Sequence, residues 1–312
     1  MPLVSICIPT RNRSKYLAMV LDSIVSQVEF YATDEIEIVV SDNCSTDDTQ
    51  EICSCYIKQF PAKIFYYRTD RNIGFDNFRK VLSLARGVFC KLNNDTLIHK
   101  AGSLSKILTV VREEQLERKI LFFPNGSTSM HSKNAILRGV DDFLGKVSYQ
   151  CTWIGAFGVW QQELKDVLVT LDRERKTEIP HVIALFDFLV QGRPARICNE
   201  FLFDSLTPVN KGGYNIAEVF GNNYLSFLEK MIDQGLLSRK IYDKEKKRIL
   251  PFINRFYFDR KKKFAFRKTG YFKWMFPFYW RNYYFYIKLI GVFNSLLKSR
   301  MRMFCNCFDS IG

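Results

Sequence analysis

Short apolar runs alternate with segments of helical period through the first two hundred positions of the chain. Val4 to Pro9 is almost wholly apolar, the pattern of a strand covered on both faces. Leu17, Val20, Leu21, Ile24 and Val25 then recur at helical spacing, with Ser14 placed to cap them. Ile36 to Ser41 reads as a second strand, followed by a helix capped by Thr46 or Asp47 and running to about Gln59. Ile64 to Arg68 is a third strand. The polar loop Arg68 to Asn77 leads into a helix through Ala85, which Gly87 stops. Val88 to Leu92 is a fourth strand, a helix starts near Ala101, and Ile120 to Phe123 is again a strand. Such alternation predicts βαβ units with right-handed crossovers and a mostly parallel sheet flanked by helices.

The stretch from Asn125 to Gln150 is polar and shows no clear period. Trp153 to Trp160, with Gly155 and Gly158, reads as a strand that another backbone approaches closely. Ile179 to Gly192 reads as a helix and Ala195 to Phe201 as the last strand of this half. Near Lys211-Gly212-Gly213 the pattern changes to amphipathic helices. The expected division is therefore residues 1–210 as an α/β domain and 211–312 as a helical region.

Ligands of open parallel sheets sit at the carboxyl ends of the strands, and here those ends are polar. The first strand closes on P-T-R-N-R, the second on S-D-N-C-S-T-D-D-T, and the fourth on L-N-N-D-T. Asp42, at a strand end, suits hydrogen bonds to a base or ribose, or it caps the next helix. Arg11 or Arg13 approaches a diphosphate or is simply solvated. An acid at the last tip, Asp95, completes what a sugar nucleotide would need.

Composition changes this picture in one place. The formal charge is +14, yet from Arg255 to Arg302 there are thirteen Lys or Arg against the single acid Asp259, a local balance of +12. The basicity belongs to one surface rather than to the fold. The hydrophobic fraction of 47% excludes a disordered chain. Nine scattered cysteines suit a reduced, cytosolic protein. The C-x-C pairs Cys53/Cys55 and Cys305/Cys307 lack the spacing of a zinc site. No secretory leader is visible, and Trp274 to Leu297, the longest apolar candidate, is broken by Arg281 and Lys288, so a spanning helix is not expected.

Four features in order then resemble glycosyltransferase family 2, which has the GT-A fold: P-T-R-N-R, S-D-N-C-S-T-D-D-T, the set Asn72, Gly74, Asn77, Ala85 and Gly87, and L-N-N-D-T. The resemblance covers about Val4 to Phe201 and looks most like the bacterial enzymes that build O-antigen and capsule repeat units, of the abequosyltransferase-like or rhamnosyltransferase-like branch. It implies a nucleoside diphosphate-sugar donor held by Pro9, Thr10, Asn12, Asp42, Gly74, Asn77, Asn93 and Asn94. It also implies Mn2+ or Mg2+ on Asp95, where the family's D-x-D triplet has become Asn93-Asn94-Asp95. A hard cation shared with both phosphates neutralises charge on the leaving group. Family 2 enzymes are inverting and need a general base, usually from an acidic pair ahead of the last core strand. That pair is missing from T-E-I-P-H-V-I (Thr177 to Ile183). His181 stands near its place, with Glu178 and Asp187 as alternatives and Asp141 or Asp142 beyond them. Trp153 and Gly155 fall where the family forms its acceptor pocket; Trp153 equally suits a core.

Nineteen of the chain's forty-seven aromatic residues lie between Arg255 and Phe308, interleaved with the basic clusters. Trp and Tyr favour the membrane–water boundary, and Lys and Arg attract anionic lipid. This predicts a peripheral segment, residues 255–308, on the cytoplasmic face of the membrane, where a lipid-linked saccharide acceptor would be met. The plainer reading is a helical subdomain with solvated lysines. A nucleic-acid partner is not expected, since no binding motif accompanies the charge. The sequence thus reads as an inverting glycosyltransferase; the alternative is an inactive sugar-nucleotide-binding protein of the same fold. A nucleotidyltransferase would need a Gly-rich basic signature that P-T-R-N-R lacks.

Overall fold

Strand Val4–Thr10 (β1) is buried along its whole length, as is Ile36–Asp42 (β2) beside it. Both lie inside one sheet with helices on its faces, so neither can alternate polar and apolar positions. In the computed structural model the elements of the first unit follow as α1 (Ser14–Val25), α2 (Val28–Ala32), β2, α3 (Thr49–Gln59), β3 (Ile64–Arg68), α4 (Asp76–Ser83), β4 (Phe89–Leu92), β5 (Leu97–His99), α5 (Ser103–Glu114), β6 (Ile120–Phe122), β7 (Asn134–Leu137), α6 (Gly139–Val147), β8 (Gly158–Trp160), α7 (Leu164–Arg173), α8 (Pro180–Val190), β9 (Ala195–Cys198) and β10 (Phe203–Ser205). The structure describes residues 1–128, 134–208, 211–258, 264–287, 289–291 and 293–294. Two compact units divide it, Met1–Pro208 and Val209–Gly312.

The main sheet has the order β3-β2-β1-β4-β8. β1 pairs in parallel with β2 and with β4, β2 pairs in parallel with β3, and β8 adds an antiparallel edge to β4. Chain order therefore runs outward from β1 in one direction and returns to β4 on the other side. A second sheet, β6-β9-β7, and the hairpin-like pair β5/β10 extend the unit. The core is aliphatic between β1, β2 and the inner faces of α1 and α5, with Phe89, Phe123 and Trp160 closing one end.

One polar knot lies inside it. Glu37 on β2 is 2% exposed and accepts from Ser5 Oγ (2.6 Å), the Arg86 backbone N–H (2.7 Å) and the Arg86 guanidinium (2.6 and 2.9 Å). Gly87 completes it by donating its N–H to Ser5 Oγ at 2.7 Å. A Cβ there would stand 2.6 Å from the Ser5 backbone nitrogen, which explains why the turn into β4 carries glycine.

Several expectations are corrected. Trp153 to Trp160 is not one strand: only Gly158–Trp160 is, and 3-10 turns over Ser148–Thr152 and Ile154–Ala156 precede it. Gly155 is packed so closely that a Cβ would meet Asn94 Oδ1 at 2.8 Å and the Trp153 ring at 3.0 Å. Ser14 does not cap α1; it is the first helical residue, and its N–H is bonded by Asp47 Oδ2 from the next loop (2.9 Å). The polar stretch after Asn125 holds β7 and α6, and α2 was not foreseen.

The second unit is not wholly helical either. Lys211–Asn215 (β11) pairs in parallel with Phe264–Arg267 (β12), with φ values of +133° and +96° at Gly212 and Gly213 permitting the irregular register. Around them lie α9 (Tyr224–Asp233), α10 (Arg239–Tyr257) and α11 (Tyr271–Tyr279). Their core is tyrosine-rich and satisfied: Tyr224 OH donates to Glu245, Tyr242 OH to Glu229, and Tyr279 OH to the Lys246 carbonyl. Phe272 and Phe276 on α11, Trp280 at its C-terminal end and Tyr283 beyond the following turn are exposed. Among the described residues no helix is long and apolar enough to cross a membrane. The Cys305/Cys307 pair, the basic cluster at 260–263 and the part of the 255–308 segment from residue 295 onward lie outside the described residues.

Candidate active site

A sheet that winds outward from β1 in both directions has a topological switch point between β1 and β4, and the crevice there is where ligands bind. The loops after these two strands meet across it. Asp95, three residues beyond β4, is 3% exposed. Thr10 at the end of β1 donates its hydroxyl to Asp95 Oδ2 (3.0 Å), and Arg13 Nη1 donates to Oδ1 (2.8 Å). Burial pushes the Asp95 carboxyl up, while Arg13, Thr10 and the Arg11 backbone N–H pull it down; the balance is upward.

The β1–α1 loop is held by the β2–α3 loop. Asn12 adopts left-handed φ (+51°), donates its N–H to Ser45 Oγ (2.9 Å) and accepts from the Thr46 N–H (2.8 Å). Asp42 stands at the strand end as anticipated, but its side chain is turned inward and fully buried. Its Oδ1 accepts from the Ser45 N–H (2.9 Å) and its Oδ2 from Tyr66 OH (2.6 Å). It shapes the loop rather than facing outward. Asn77 is likewise buried, accepting from Ser41 Oγ (2.7 Å) and donating to the Ser41 carbonyl (2.9 Å). Gly74 has φ +59°, and its carbonyl and N–H join Asn43 and Asn72 in an amide network. Pro9 is buried within β1.

The triplet after β4 divides its work. Asn93 is fully buried, with both ends of its amide engaged: Nδ2 on the Asn94 and Leu97 carbonyls and Oδ1 on His99 Nε2 (3.1 Å). It supports the turn. Asn94 Oδ1 is buried with no hydrogen-bond partner and lies against Gly155. On the other side of that glycine, Lys91 of β4 is wholly buried without an acid. Its Nζ donates to the Gly155 carbonyl (2.8 Å) and lies over the Phe203 ring (4.5 Å). Lys91 thus pins the turn that carries Trp153 and Gly155 to the strand that leads into Asp95.

Two titrations follow from this burial. Desolvation brings the Lys91 ammonium down to about 7, below the value near 10.5 of an unfolded lysine. The unfolded chain then holds more protons between pH 7 and 10.5, so this group's contribution to stability rises with pH across that window. Unfolding free energies of wild type and Lys91→Met should diverge in favour of wild type by up to about 1 kcal/mol per pH unit from pH 7 to 10. A pH-independent difference refutes it. Burial also lowers His181 to about 4 and His99 well below its usual value, with Lys91 adding to the second. Both favour the fold above pH 6.5 and lose that contribution as pH falls toward 4. Urea midpoints should fall over this range, and less so in a His99→Gln, His181→Gln protein.

The base candidates lie around the start of α8. His181 is buried, its ring edge-on to Phe157, and its Nε2 sits 2.9 Å from the Thr152 carbonyl. The carbonyl fixes the proton on Nε2 and leaves Nδ1 as the basic nitrogen. Pro180 and His181 line a narrow recess with Leu92, Ile154, Asp76 and Arg79. Glu178 precedes the helix at left-handed φ (+59°) and is half-buried. Asp187 is six residues, about 9 Å, further along α8. Its neighbours are Thr170 and Arg173 of α7 (3.4 and 4.0 Å), and burial raises its carboxyl. Asp142 accepts from the Arg138 N–H and pairs with Lys146.

Among the described residues no group of three or more His, Cys, Asp or Glu side chains could cage a metal. Cys53 is buried and Cys55 exposed on α3, so that pair does not converge. Asp95 offers a hard oxygen donor at the crevice, and the next residue back, Asn94, has an unpartnered Oδ1 buried against Gly155. Such a donor fits a divalent cation that completes its shell with water and phosphate oxygens. Lys91, His99, Tyr66 and Ser45 escaped the sequence reading; a lysine inside the apolar run F-C-K-L was the one visible signal.

A parallel sheet wound this way, flanked by helices, with an acid beyond β4 at the switch point, is the GT-A glycosyltransferase fold. Residues 5–117 match the model "Glycosyl transferase family 2". Abequosyltransferase RfbV of Salmonella typhimurium is 44% identical over 89 residues, which is 28% of this chain and 26% of that protein. The match thus spans about a quarter of the relative's length. Staphylococcus aureus TarS 1-349, solved in complex with UDP-GlcNAc, superposes with TM-score 0.54 at 15% identity over 84% of this chain and 74% of that one. The mannosyltransferase PcManGT of Pyrobaculum calidifontis, in complex with GDP-Man and Mn2+, gives 0.50 at 17% identity over 74% and 64%.

Proposed function

We propose that this chain transfers a sugar, with inversion, from a nucleoside diphosphate-sugar to a saccharide acceptor, most consistently a lipid-linked O-antigen or capsule intermediate. The observation that carries it is the crevice between β1 and β4, where Thr10, Arg13 and Asp95 converge within the residues that match the family 2 model. The likeness to abequosyltransferase RfbV supports the O-antigen branch. Nucleotide complexes of two fold neighbours support the donor class.

In this reading Asp95, with Asn94 beside it, holds Mn2+ or Mg2+, which would neutralise charge on the departing nucleoside diphosphate. Pro9, Thr10 and Asn12 border the nucleoside, and the loop shaped by Asp42, Gly74 and Asn77 forms its other wall. The turn at Trp153 and Gly155 faces the acceptor. Thermal shifts against UDP, GDP, CDP and dTDP with Mn2+ test the donor: a matched nucleotide at a hundred times its Kd adds about 2.7 kcal/mol. No shift with any of the four removes the proposal. An inactive binding protein would give the shift without transfer.

His181 is the first candidate for the base. His181→Gln can still donate to the Thr152 carbonyl but cannot take a proton, whereas His181→Ala can do neither. A base role predicts that both lower kcat by about a hundredfold or more. If Gln restores turnover, His181 only positions the Thr152 turn, and the role passes to Glu178 ahead of Asp187.

The exposed aromatics Phe272, Phe276, Trp280 and Tyr283 are interspersed with Lys273 and Arg281, whose cations lie over the Trp274 and Trp280 rings (4.2 and 4.3 Å). Exposed aromatics beside cations suit a peripheral site on an anionic leaflet, at the inner face of the cell membrane. Phe276→Ser, Trp280→Ser should abolish flotation with vesicles containing anionic lipid. Unchanged flotation rejects this surface.

A further inference from the structure

Arg13 and Thr10 occupy both oxygens of Asp95 in a crevice that the fold places at the ligand-binding end of the sheet. The Arg13 side chain is 28% exposed and its partner 4%, so one end of the pair can move into solvent while the other cannot. A guanidinium and a divalent cation cannot both lie against one carboxylate oxygen without like-charge repulsion. A diphosphate, by contrast, is a better partner for a guanidinium than a single carboxylate, because it offers several charged oxygens to the planar fork.

We propose that Arg13 is an exchange gate: it blocks Asp95 against a bare cation and leaves for the donor's diphosphate when cation and donor arrive together. This rests on the reading of Asp95 as the cation's ligand and goes beyond it by naming what controls access. Two further observations fit. Arg13 follows a residue at left-handed φ, Asn12, whose side chain and N–H are tied to Ser45 and Thr46, so the base of the arm is fixed while its tip is free to swing. Ser14, the next residue, is held by Asp47 through its N–H, which anchors the other side of the pivot. Exchange of this kind makes cation and diphosphate binding mutually dependent, since each removes an obstacle to the other.

The test measures Mn2+ bound, from loss of the free-ion electron paramagnetic resonance signal, with and without inorganic pyrophosphate. Pyrophosphate makes the assay independent of the donor's base. Wild type should bind Mn2+ alone weakly. Arg13→Gln should bind it about tenfold or more tightly, the scale of one close charge pair removed. In Arg13→Gln the gain from pyrophosphate should shrink, and Arg13→Lys should fall between the two. Arg13 is partly solvated, and Arg13→Ala provides a second neutral variant if the first unfolds.

Adding Asp95→Asn to Arg13→Gln should remove the tight site. If Asp95→Asn abolishes Mn2+ binding with pyrophosphate but neutral Arg13 variants bind Mn2+ alone no better than wild type, the gate is wrong and the cation site stands. If Asp95→Asn changes Mn2+ binding in no background, the cation site itself is wrong and the gate falls with it.

Discussion

Asp95→Asn is expected to lower sugar transfer by about a thousandfold, roughly 4 kcal/mol of transition-state stabilisation, while leaving the fold intact. The large loss follows from the site's economy. The triplet supplies one carboxylate, because its first position is Asn93 and that amide is spent on His99 and two backbone carbonyls. Among the described residues no group of three or more His, Cys, Asp or Glu side chains gathers to take over.

The fold is expected to survive for a separate reason. Burial already works against the Asp95 charge, so its carboxyl is raised rather than lowered. A neutral amide of the same shape avoids that desolvation, can accept from Arg13 through its oxygen and can donate to the Thr10 hydroxyl through its NH2. Unfolding midpoints should therefore match wild type within a degree or two, or rise. The discriminating measurement is transfer from the matched donor with Mn2+, alongside a thermal melt. Near-normal turnover in Asp95→Asn would overturn the assignment of the cation to this residue.

Glu37→Ala is the largest expected loss of stability, about 2–4 kcal/mol. Glu37 accepts four hydrogen bonds from three sources while 2% exposed. Removing it leaves the Ser5 hydroxyl and the Arg86 N–H without their acceptor in a buried place. The Arg86 guanidinium suffers less: its side chain is 56% exposed and can turn to water. For a unit of about two hundred residues this corresponds to a fall of roughly 5–15 °C in Tm. Gly87→Ala should act through the same joint by a different route, since its Cβ would lie 2.6 Å from a backbone atom of Ser5 that cannot rotate away. Because the two sites share Ser5, their effects should not add. A melt of Glu37→Ala within 2 °C of wild type would show that the knot contributes little.

Much of the first unit was legible because its strands are buried on both faces. Runs such as V-S-I-C-I-P and I-E-I-V-V-S have no alternative placement once helix-period segments separate them, and their polar ends mark the ligand side of the sheet. Asp95 was visible for that reason. The polar stretch after Asn125 was not, since β7 is an edge strand of only four residues with a single buried position, Leu137. The turn at Ile154–Ala156 was misread as strand because aromatic and glycine residues serve both; its shape depends on Asn94 and Lys91, which come from another element. The pairing of β11 with β12 joins segments about fifty residues apart and has no local signature.

The candidate site divides along the same line. Residue type and position at a strand end come from local sequence, so the acid at Asp95 and the polar loops at Thr10 and Asn12 could be named in advance. What each side chain faces depends on partners distant in the chain. Asp42 turns inward because Tyr66 and the Ser45 N–H meet it, and Asn93 does so because His99 lies behind it. Arg13 bridges to Asp95 across a sequence separation of 82. Hydrophobic period fixes which elements form, through burial that each segment carries by itself. Hydrogen-bond direction and charge pairing are decided only when the sheet brings β1, β2 and β4 side by side.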